Sequence, residues 1–311
     1  HPDTKLKYIF DLNSKLSKNI SKKYKCNVSK TAEEAINSPD IDAVLIASPT
    51  PTHIDYIYTS AKAGKPIFCE KPIDLDINKV EKCWNKIKKY KVPIQIGFNR
   101  RFDPGHSSLQ TSVMSGKIGK LEMIVITSRD PAPPPLNYLN ESGGIFRDCS
   151  IHDFDLARFI LKDDPIIEVF ASASRNVSKD FSKANDYDTT MCFLNSKKGI
   201  LIHINNSRRA VYGYDQRLEV FGSKGMLISD NISKNNVQNF NVNTSYGKNP
   251  IHYFFIERYE EAYKLQFIDF VKSLKHKNNT KVSFEDGKKA LIIANCATES
   301  VKKNKLIKIR Y

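Results

Sequence analysis

With 311 residues, of which 40% are hydrophobic and 27% charged, the chain has the composition of an ordinary globular protein and is long enough for two domains. It contains no apolar run of about 18 residues, which excludes a transmembrane helix, and we expect no membrane partner. The formal net charge of +15 comes mainly from lysines scattered along polar stretches rather than from grouped arginines, so we expect no nucleic-acid partner.

The first third of the chain alternates short apolar segments with helical ones. Strands are predicted at residues 7–10, 43–47, 66–69 and 93–96, and helices at residues 14–24, 32–37, 53–63 and 77–89. The segment 43–47 is apolar throughout, as expected of a strand buried on both faces of a parallel sheet. Strand–helix alternation with short connections predicts an α/β fold of the Rossmann type, with a doubly wound parallel sheet.

After about residue 120 the pattern changes, and we place a domain boundary there, giving domains 1–120 and 121–311. Strands are predicted at residues 121–128, 167–174, 189–194, 199–205, 216–221 and 225–229, and helices at residues 152–161, 259–274 and 284–303. Several of these strands alternate polar and apolar residues. That alternation predicts an α/β domain with an open-faced, mostly antiparallel sheet, one face packed and the other exposed or used for assembly.

Six cysteines are spread along the chain without a CxxC pair. This spacing argues against a zinc site and against a disulfide framework, and it fits the reducing cytosol. We therefore expect a cytoplasmic protein without a bound metal.

Asp11 ends the first predicted strand, where a dinucleotide-binding domain carries the acidic residue that accepts the ribose hydroxyls. In such a domain a glycine-rich turn precedes that residue by about 20 positions, and no such turn precedes Asp11. The expectation is that the chain is a fragment lacking roughly the first 20–30 residues of the domain. Alternatively, Asp11 is an ordinary strand-end aspartate in a turn.

Two further strand ends carry polar residues suited to a cofactor. The stretch that contains Ser48, Pro49, Thr50 and His53 follows a buried strand and opens a helix, where exposed N–H groups and hydroxyls suit a ribose and a diphosphate. The alternative is a plain helix cap by a threonine, with a solvated His53.

Glu70 and Lys71 follow the next strand, and Pro72 comes directly after them. A lysine at this strand end projects into the crevice where open α/β sheets bind ligands, although an isolated lysine is more often a surface residue. A cis peptide bond, should one occur, is expected at Lys71–Pro72, because cis bonds are rare outside X–Pro pairs.

Asp148 and His152 lie four residues apart, so on a helix they share one face. A carboxylate beside an imidazole fixes its tautomer and raises its basicity, which suits proton transfer. Alternatively, Asp148 caps the helix and His152 is a hydrogen-bonded histidine of the core. Asp153 and Asp155 are expected to cap the helix or to face solvent. A further polar stretch at residues 205–217, rich in arginine and tyrosine, suits a polyhydroxylated ligand or forms a polar edge hairpin.

Taken in order, the stretches SPTPTH, CEKP, GFNRRFDPG, SGGIFRDCSIHDFDLARF and NNSRRAVYGYDQRLEVFGSKG resemble the glucose–fructose oxidoreductase/inositol dehydrogenase family over essentially the whole chain. The EKP and DxxxH patterns are typical of the whole family, whereas the longer stretches are more particular to its inositol dehydrogenases. The resemblance implies an NAD-binding Rossmann domain followed by a domain for substrate binding and oligomerisation, in a dimer or tetramer.

The resemblance also implies an activity, the NAD-dependent oxidation of a polyol such as myo-inositol to 2-keto-myo-inositol. It implies catalysis by Lys71, Asp148 and His152, with His152 taking the proton of the substrate hydroxyl while hydride passes to the nicotinamide. Lys71 would steady the developing alkoxide, and Asp148 would orient the pair. A carboxylate at Asp11 would repel a 2′-phosphate, so NAD is expected over NADP.

Arg101, Tyr212 and Tyr263 stand where the family's inositol dehydrogenases line the substrate. Two alternatives stay open: a dehydrogenase of another polyol or aldose, such as scyllo-inositol or glucose, and a catalytically silent protein that senses a sugar or NAD on the same fold. The complete set of Lys71 and the DxxxH pair argues against a sensor, which has no need of proton transfer.

Overall fold

Parallel strands and helices alternate in the first of the two units into which the chain divides in the computed structural model, which describes residues 1–311. This unit comprises His1–Phe98 and Gln266–Lys288. Its complete elements are β1 (Tyr8–Ile9), α1 (Ser14–Tyr24), β2 (Asn27–Val28), α2 (Ala32–Asn37), β3 (Val44–Ile46), α3 (His53–Lys62), β4 (Ile67–Cys69), α4 (Ile77–Ile87) and β5 (Ile94–Ile96). β1 pairs with β2, and β4 lies between β3 and β5; all of these pairings are parallel, which confirms the predicted sheet type.

The first two helices have the predicted bounds, because a side-chain cap fixes the start of each. The Asn13 side chain accepts hydrogen bonds from the first backbone N–H groups of α1, and Thr31 does the same for α2. A Glu three residues after Thr31, Glu34, reaches back to the Lys30 N–H at 2.7 Å, close to a capping box.

One strand is less buried than its composition predicts. β4 and β5 are fully buried, but Leu45 in β3 is 56% exposed. β3 has a hydrogen-bonded neighbour on one side only, β4, so its side chains are covered less completely than those of the central strand. The expectation that residues 43–47 are buried on both faces is therefore wrong for Leu45.

The second unit comprises Asn99–Leu265 and Lys289–Tyr311 and is built around a seven-stranded sheet. Its strands, with a two-stranded hairpin, are β6 (Leu121–Arg129), β7 (Ile166–Ser174), β8 (Thr189–Ser196), β9 (Leu201–Ser207), β10 (Asp215–Gly222), β11 (Gly225–Ser229), β12 (Gln238–Asn241), β13 (Thr244–Lys248) and β14 (Ile307–Lys308). Its helices are α5 (Pro104–Met114), α6 (Leu136–Glu141), α7 (Ile151–Leu161), α8 (Asp180–Lys183) and α9 (Phe255–Arg258). The helices α10 (Glu260–His276) and α11 (Phe284–Lys303) contribute residues to both units.

The strand order in the large sheet is β11-β10-β6-β9-β8-β7-β14, and only the central β6–β9 pair is parallel. One face is buried; its side chains include Ile124, Ile126, Leu194, Ile202, Ile204 and Leu218, each at most 1% exposed. The opposite face leaves large apolar side chains exposed, among them Met123, Phe170, Met191, Phe193, Leu201 and Phe221. The open-faced, mostly antiparallel sheet is confirmed.

The division between the units precedes the expected boundary near residue 120. The turn Asn99–Phe102 and the helix α5 belong to the second unit, where α5 packs on β11 and α7. The sequence pattern does not reveal this division, because β5 before it and α5 after it continue the alternation of strands and helices. None of the helices combines the length and the apolar character that crossing a membrane requires.

Candidate active site

In the first unit, the predicted cofactor residues follow the carboxyl ends of parallel strands. Ile46 and Cys69 are partners in the β3–β4 ladder, so the residues that come next, Ser48 on one strand and Glu70 and Lys71 on the other, lie at the same sheet edge. This is the edge at which open α/β sheets bind nucleotides.

The polar groups that follow β1 and β3 suit a dinucleotide such as NAD. Asp11 is exposed two residues after β1, which pairs with β2 in a separate two-stranded sheet, and its Oδ1 accepts the Asn13 N–H at 2.7 Å, which orients the carboxylate. The Ser48 and Thr52 hydroxyls lie 2.6 Å apart, and Thr50 begins the short helix that leads into α3. A carboxylate suits ribose hydroxyls, while hydroxyls and helix-start N–H groups suit a diphosphate.

His53, which is predicted to contact the cofactor, is buried between two loops of the first unit. It is 1% exposed, and its Nδ1 and Nε2 each lie 2.8 Å from a backbone carbonyl, that of Pro72 and that of Ser48. Burial lowers the pKa of His53, against the raising effect of the two carbonyls. Through these contacts His53 links the loop after β3 to the loop after β4, and its contact with a cofactor stays a prediction.

The loop after β4 has the cis Lys71–Pro72 peptide bond that the sequence led us to expect. Burial raises the pKa of Glu70, and the neighbouring Lys71 lowers it. A Cβ at Gly97 would stand 2.6 Å from a Glu70 carboxylate oxygen and 3.0 Å from the Glu70 Cα, so glycine is required there for the close approach of this loop.

In the second unit, Asp148 and His152 lie on one continuous helical segment. A π-helical turn, Phe146–Ser150, runs directly into α7. Turns of this kind are frequent at functional sites. Asp148 is 8% exposed, and it does not act as the helix cap considered above, because neither helical segment has a side-chain cap.

Two donors hold the Asp148 carboxylate. The Tyr138 hydroxyl donates to Oδ1 at 2.8 Å, and the Arg208 Nη2 donates to Oδ2 at 2.6 Å. Arg208 also donates through Nη1 to Asp130 at 2.7 Å. None of these three partners was singled out from the sequence, although Arg208 lies in the polar stretch 205–217.

The expectation that Asp153 and Asp155 face solvent is wrong. Asp153 is fully buried, is paired with Arg100, and accepts the Asn206 Nδ2 at 2.7 Å. Asp155 is 1% exposed and binds Arg101 in a bidentate pair, with Nε–Oδ2 at 2.7 Å and Nη2–Oδ1 at 2.5 Å. These ion pairs tie α7 to the turn Asn99–Phe102, and the arginines that make them are some fifty residues away in sequence.

The predicted substrate residues have distinct environments. The bidentate pair with Asp155 commits two donor nitrogens of Arg101, and its guanidinium stacks 5.6 Å from the Phe159 ring centre. The Tyr212 hydroxyl donates to Asp215 at 2.6 Å and accepts from Arg129 at 3.0 Å. Tyr263 lies on α10 and is 36% exposed.

Tyr212 also borders two open hollows of about 320 and 270 Å³. Arg129 and Asp215 are cross-strand partners in β6 and β10, and by the alternation of side chains along each strand they lie on the exposed face. By the same alternation, Arg208, which follows β9, lies on the side of the buried face. The Tyr212 hydroxyl thus joins groups of the open face, while Arg208 binds Asp148 from the buried face.

Comparison with known proteins identifies both units. A family model described as "Oxidoreductase family, NAD-binding Rossmann fold" matches residues 1–98, and one described as "GFO/IDH/MocA C-terminal domain" matches residues 106–228. An inositol 2-dehydrogenase of Rhizobium meliloti (strain 1021) is 41% identical over 307 residues, which are 99% of this chain and 92% of that protein.

Solved structures agree with the sequence comparison. A myo-inositol dehydrogenase from Corynebacterium glutamicum has a TM-score of 0.96 at 41% identity, over 100% of this chain and 93% of that one. A scyllo-inositol dehydrogenase from Lactobacillus casei, solved with bound NAD(H) and scyllo-inositol, has a TM-score of 0.90 at 28% identity, over 97% and 91% of the two chains. The chain therefore belongs to the GFO/IDH/MocA family of oxidoreductases, with an NAD-binding Rossmann domain as its first unit.

Proposed function

We propose that the protein oxidises a secondary hydroxyl of a cyclic polyol, with NAD as the acceptor and myo-inositol as the substrate, giving 2-keto-myo-inositol. The observation that carries this proposal is the buried, doubly bound Asp148 on the same helical segment as His152, in a chain 41% identical to an inositol 2-dehydrogenase over 99% of its length.

The catalytic roles belong to Lys71, Asp148 and His152. His152 takes the proton of the substrate hydroxyl as a general base, and Lys71 stabilises the negative charge that develops on that oxygen. Asp148 orients the imidazole and stabilises its protonated form. NAD, when bound, supplies the hydride acceptor.

Arg101, Tyr212 and Tyr263 are proposed to line the polyol. Arg101 also binds Asp155 through Nε and Nη2, which fixes the position of its guanidinium. Ser48, Pro49, Thr50, His53, Glu70 and Lys71 are proposed to contact the cofactor, and Asp11 to accept its adenosine ribose hydroxyls. A carboxylate at Asp11 favours NAD over NADP by repelling a 2′-phosphate.

The protein is proposed to assemble into a dimer or tetramer through the open face of its large sheet. Phe170 and Phe193 are cross-strand partners on this face, and Met191 beside them is 60% exposed. Contiguous exposed apolar surface marks interaction sites, and a second copy of the same face meets it by two-fold symmetry. Phe193→Glu should dissociate the assembly in sedimentation experiments, whereas Met114→Glu on α5, at similar exposure, should not.

We also propose that the enzyme works in the cytoplasm. All six cysteines are free thiols, and five of them are buried. A reducing compartment preserves such thiols, so the cysteine content supports this location.

Steady-state NADH formation across a polyol panel tests the proposed activity. We expect the highest kcat/KM with myo-inositol, and lower values with scyllo-inositol and glucose. A higher value with either of the others would overturn the proposed substrate but leave the reaction class standing. Binding of polyol and NAD without turnover would favour the alternative of a sensor.

A further inference from the structure

The carboxylate of Asp148 accepts hydrogen bonds from two side chains to which the catalytic scheme above gives no role. Each of its two oxygens receives a donor: the Tyr138 hydroxyl at 2.8 Å on Oδ1 and an Arg208 Nη at 2.6 Å on Oδ2. Two donors on opposite oxygens fix both the position and the plane of a carboxylate.

Arg208 is itself fixed by the sheet. It directly follows β9, Asp130 directly follows β6, and these two strands are parallel neighbours in the centre of the sheet. The Arg208 N–H donates to the Asp188 carbonyl at 2.8 Å, and its guanidinium lies between the carboxylates of Asp130 and Asp148. The fork of this guanidinium spans two carboxylates that a single ammonium group would not reach together.

One positive charge faces two negative ones in this group, since the single guanidinium of Arg208 pairs with both Asp130 and Asp148. Arg208 is 5% exposed, and its burial acts to lower the pKa of the guanidinium, but Asp130 and Asp148 raise it well above the ordinary value. Arg208 is therefore permanently positive and offsets the negative charge of Asp148 in a site screened from water.

Tyr138 holds the other oxygen from the solvent side. It lies on α6, its side chain is 45% exposed, and its hydroxyl bonds to a carboxylate that is almost completely buried. Burial and the adjacent Asp148 raise the pKa of Tyr138, so the phenol keeps its proton and acts as the donor.

We propose that Arg208 and Tyr138 are positioning residues that fix the orientation of Asp148, and that Asp130 holds Arg208 in place. The inference rests on the proposed function, because Asp148 must itself serve the reaction. Neither residue needs to touch the substrate for this role.

Chemical rescue tests the role of Arg208. Arg208→Ala should lower kcat by about 100-fold, as displacement of a catalytic group typically does, while KM changes by less than about 3-fold. Guanidinium ion at millimolar concentration should raise the kcat of Arg208→Ala by about 10-fold, because it refills the space between the two carboxylates. Arg310→Ala, at an exposed arginine, should neither lose activity nor respond to guanidinium.

Two milder variants keep the test valid if Arg208→Ala fails to fold. Tyr138→Phe removes one hydrogen bond and retains the ring, and should lower kcat by about 10-fold, the worth of one bond to a charged group. Arg208→Lys retains the charge without the fork and should leave kcat reduced by a similar factor. In both variants the acid limb of the pH–rate profile should move to higher pH, since Asp148 loses a hydrogen bond that favours its ionised form.

Asp148→Asn distinguishes a failure of the positioning role from a failure of the proposed catalytic role of Asp148. An inactive Asp148→Asn together with wild-type kcat and pH profile in folded Arg208→Lys and Tyr138→Phe would overturn the positioning role alone. Wild-type activity in Asp148→Asn would overturn the proposed catalytic role of Asp148, and the positioning role with it.

Discussion

Replacing Asp153 by Asn removes the charge that neutralises a buried arginine next to the proposed base His152. Asp153 is 0% exposed, and its partner Arg100 is 4% exposed and lies over the Tyr259 ring. The pKa of Asp153 is raised, because burial outweighs the lowering effects of Arg100 and Asn206, and Arg100 is its direct ion-pair partner.

The size of the effect follows from this burial. Removing one partner of a buried ion pair costs about 3–5 kcal/mol, because the remaining charge cannot reach water. Asn has almost the same volume as Asp, so no cavity adds to this cost. We therefore expect Asp153→Asn to lose about 3 kcal/mol and its melting temperature to fall by roughly 5–10 °C.

Thermal and urea unfolding followed by circular dichroism measure this loss. The matched control is Asp180→Asn, whose partner Lys183 is 2.8 Å away and whose side chain is 42% exposed; an exposed pair contributes only about 0.3 kcal/mol. Equal stability of Asp153→Asn and the wild type would refute the idea that this ion pair anchors α7.

Three further predictions concern pH, catalysis and cofactor choice. Burial lowers the pKa of His106 to about 4, against the raising effect of Asp103, so the stability that neutral His106 supplies is complete above about pH 6.5 and is lost as pH falls towards 4. Melting temperature should therefore fall across this window by less in His106→Gln than in the wild type. Lys71→Ala and His152→Ala should each lower kcat by about 100-fold in NADH assays, with parallel circular dichroism to show that the fold is retained. Asp11→Ser should raise the ratio of NADP to NAD activity; an unchanged ratio would remove Asp11 from the ribose site.

Local signals were sufficient to predict most of the elements. Helices α1 and α2 were predicted with the observed bounds, and in the structure a capping side chain, Asn13 or Thr31, precedes each. Six of the seven strands of the large sheet were predicted to within two residues at each end, because each alternates or concentrates apolar side chains, whereas β14 was missed. The helix α5 was missed, since Asp103 and Pro104 mark its start but its apolar face is weak.

The environment of the site depended on contacts distant in sequence, which local patterns do not reveal. Asp153 and Asp155 resemble ordinary first-turn acids of a helix, and only the fold brings them to Arg100 and Arg101. Arg208 likewise reaches Asp148, 60 residues away in sequence, only because it follows β9 in the folded sheet. The roles of Lys71, Asp148 and His152 came from the resemblance of whole stretches, and they stay predictions.

Transfer of the substrate hydrogen to the cofactor is the most direct test of the central claim. The protein should be incubated with NAD and myo-inositol deuterated at C2, and the mass of the reduced cofactor measured. We predict one deuterium in each reduced cofactor, with 2-keto-myo-inositol as the product, and no reduced cofactor in His152→Ala beyond about 1% of the wild-type rate. Unlabelled reduced cofactor would place oxidation at another carbon, and absence of any reduced cofactor would contradict the proposed dehydrogenase activity.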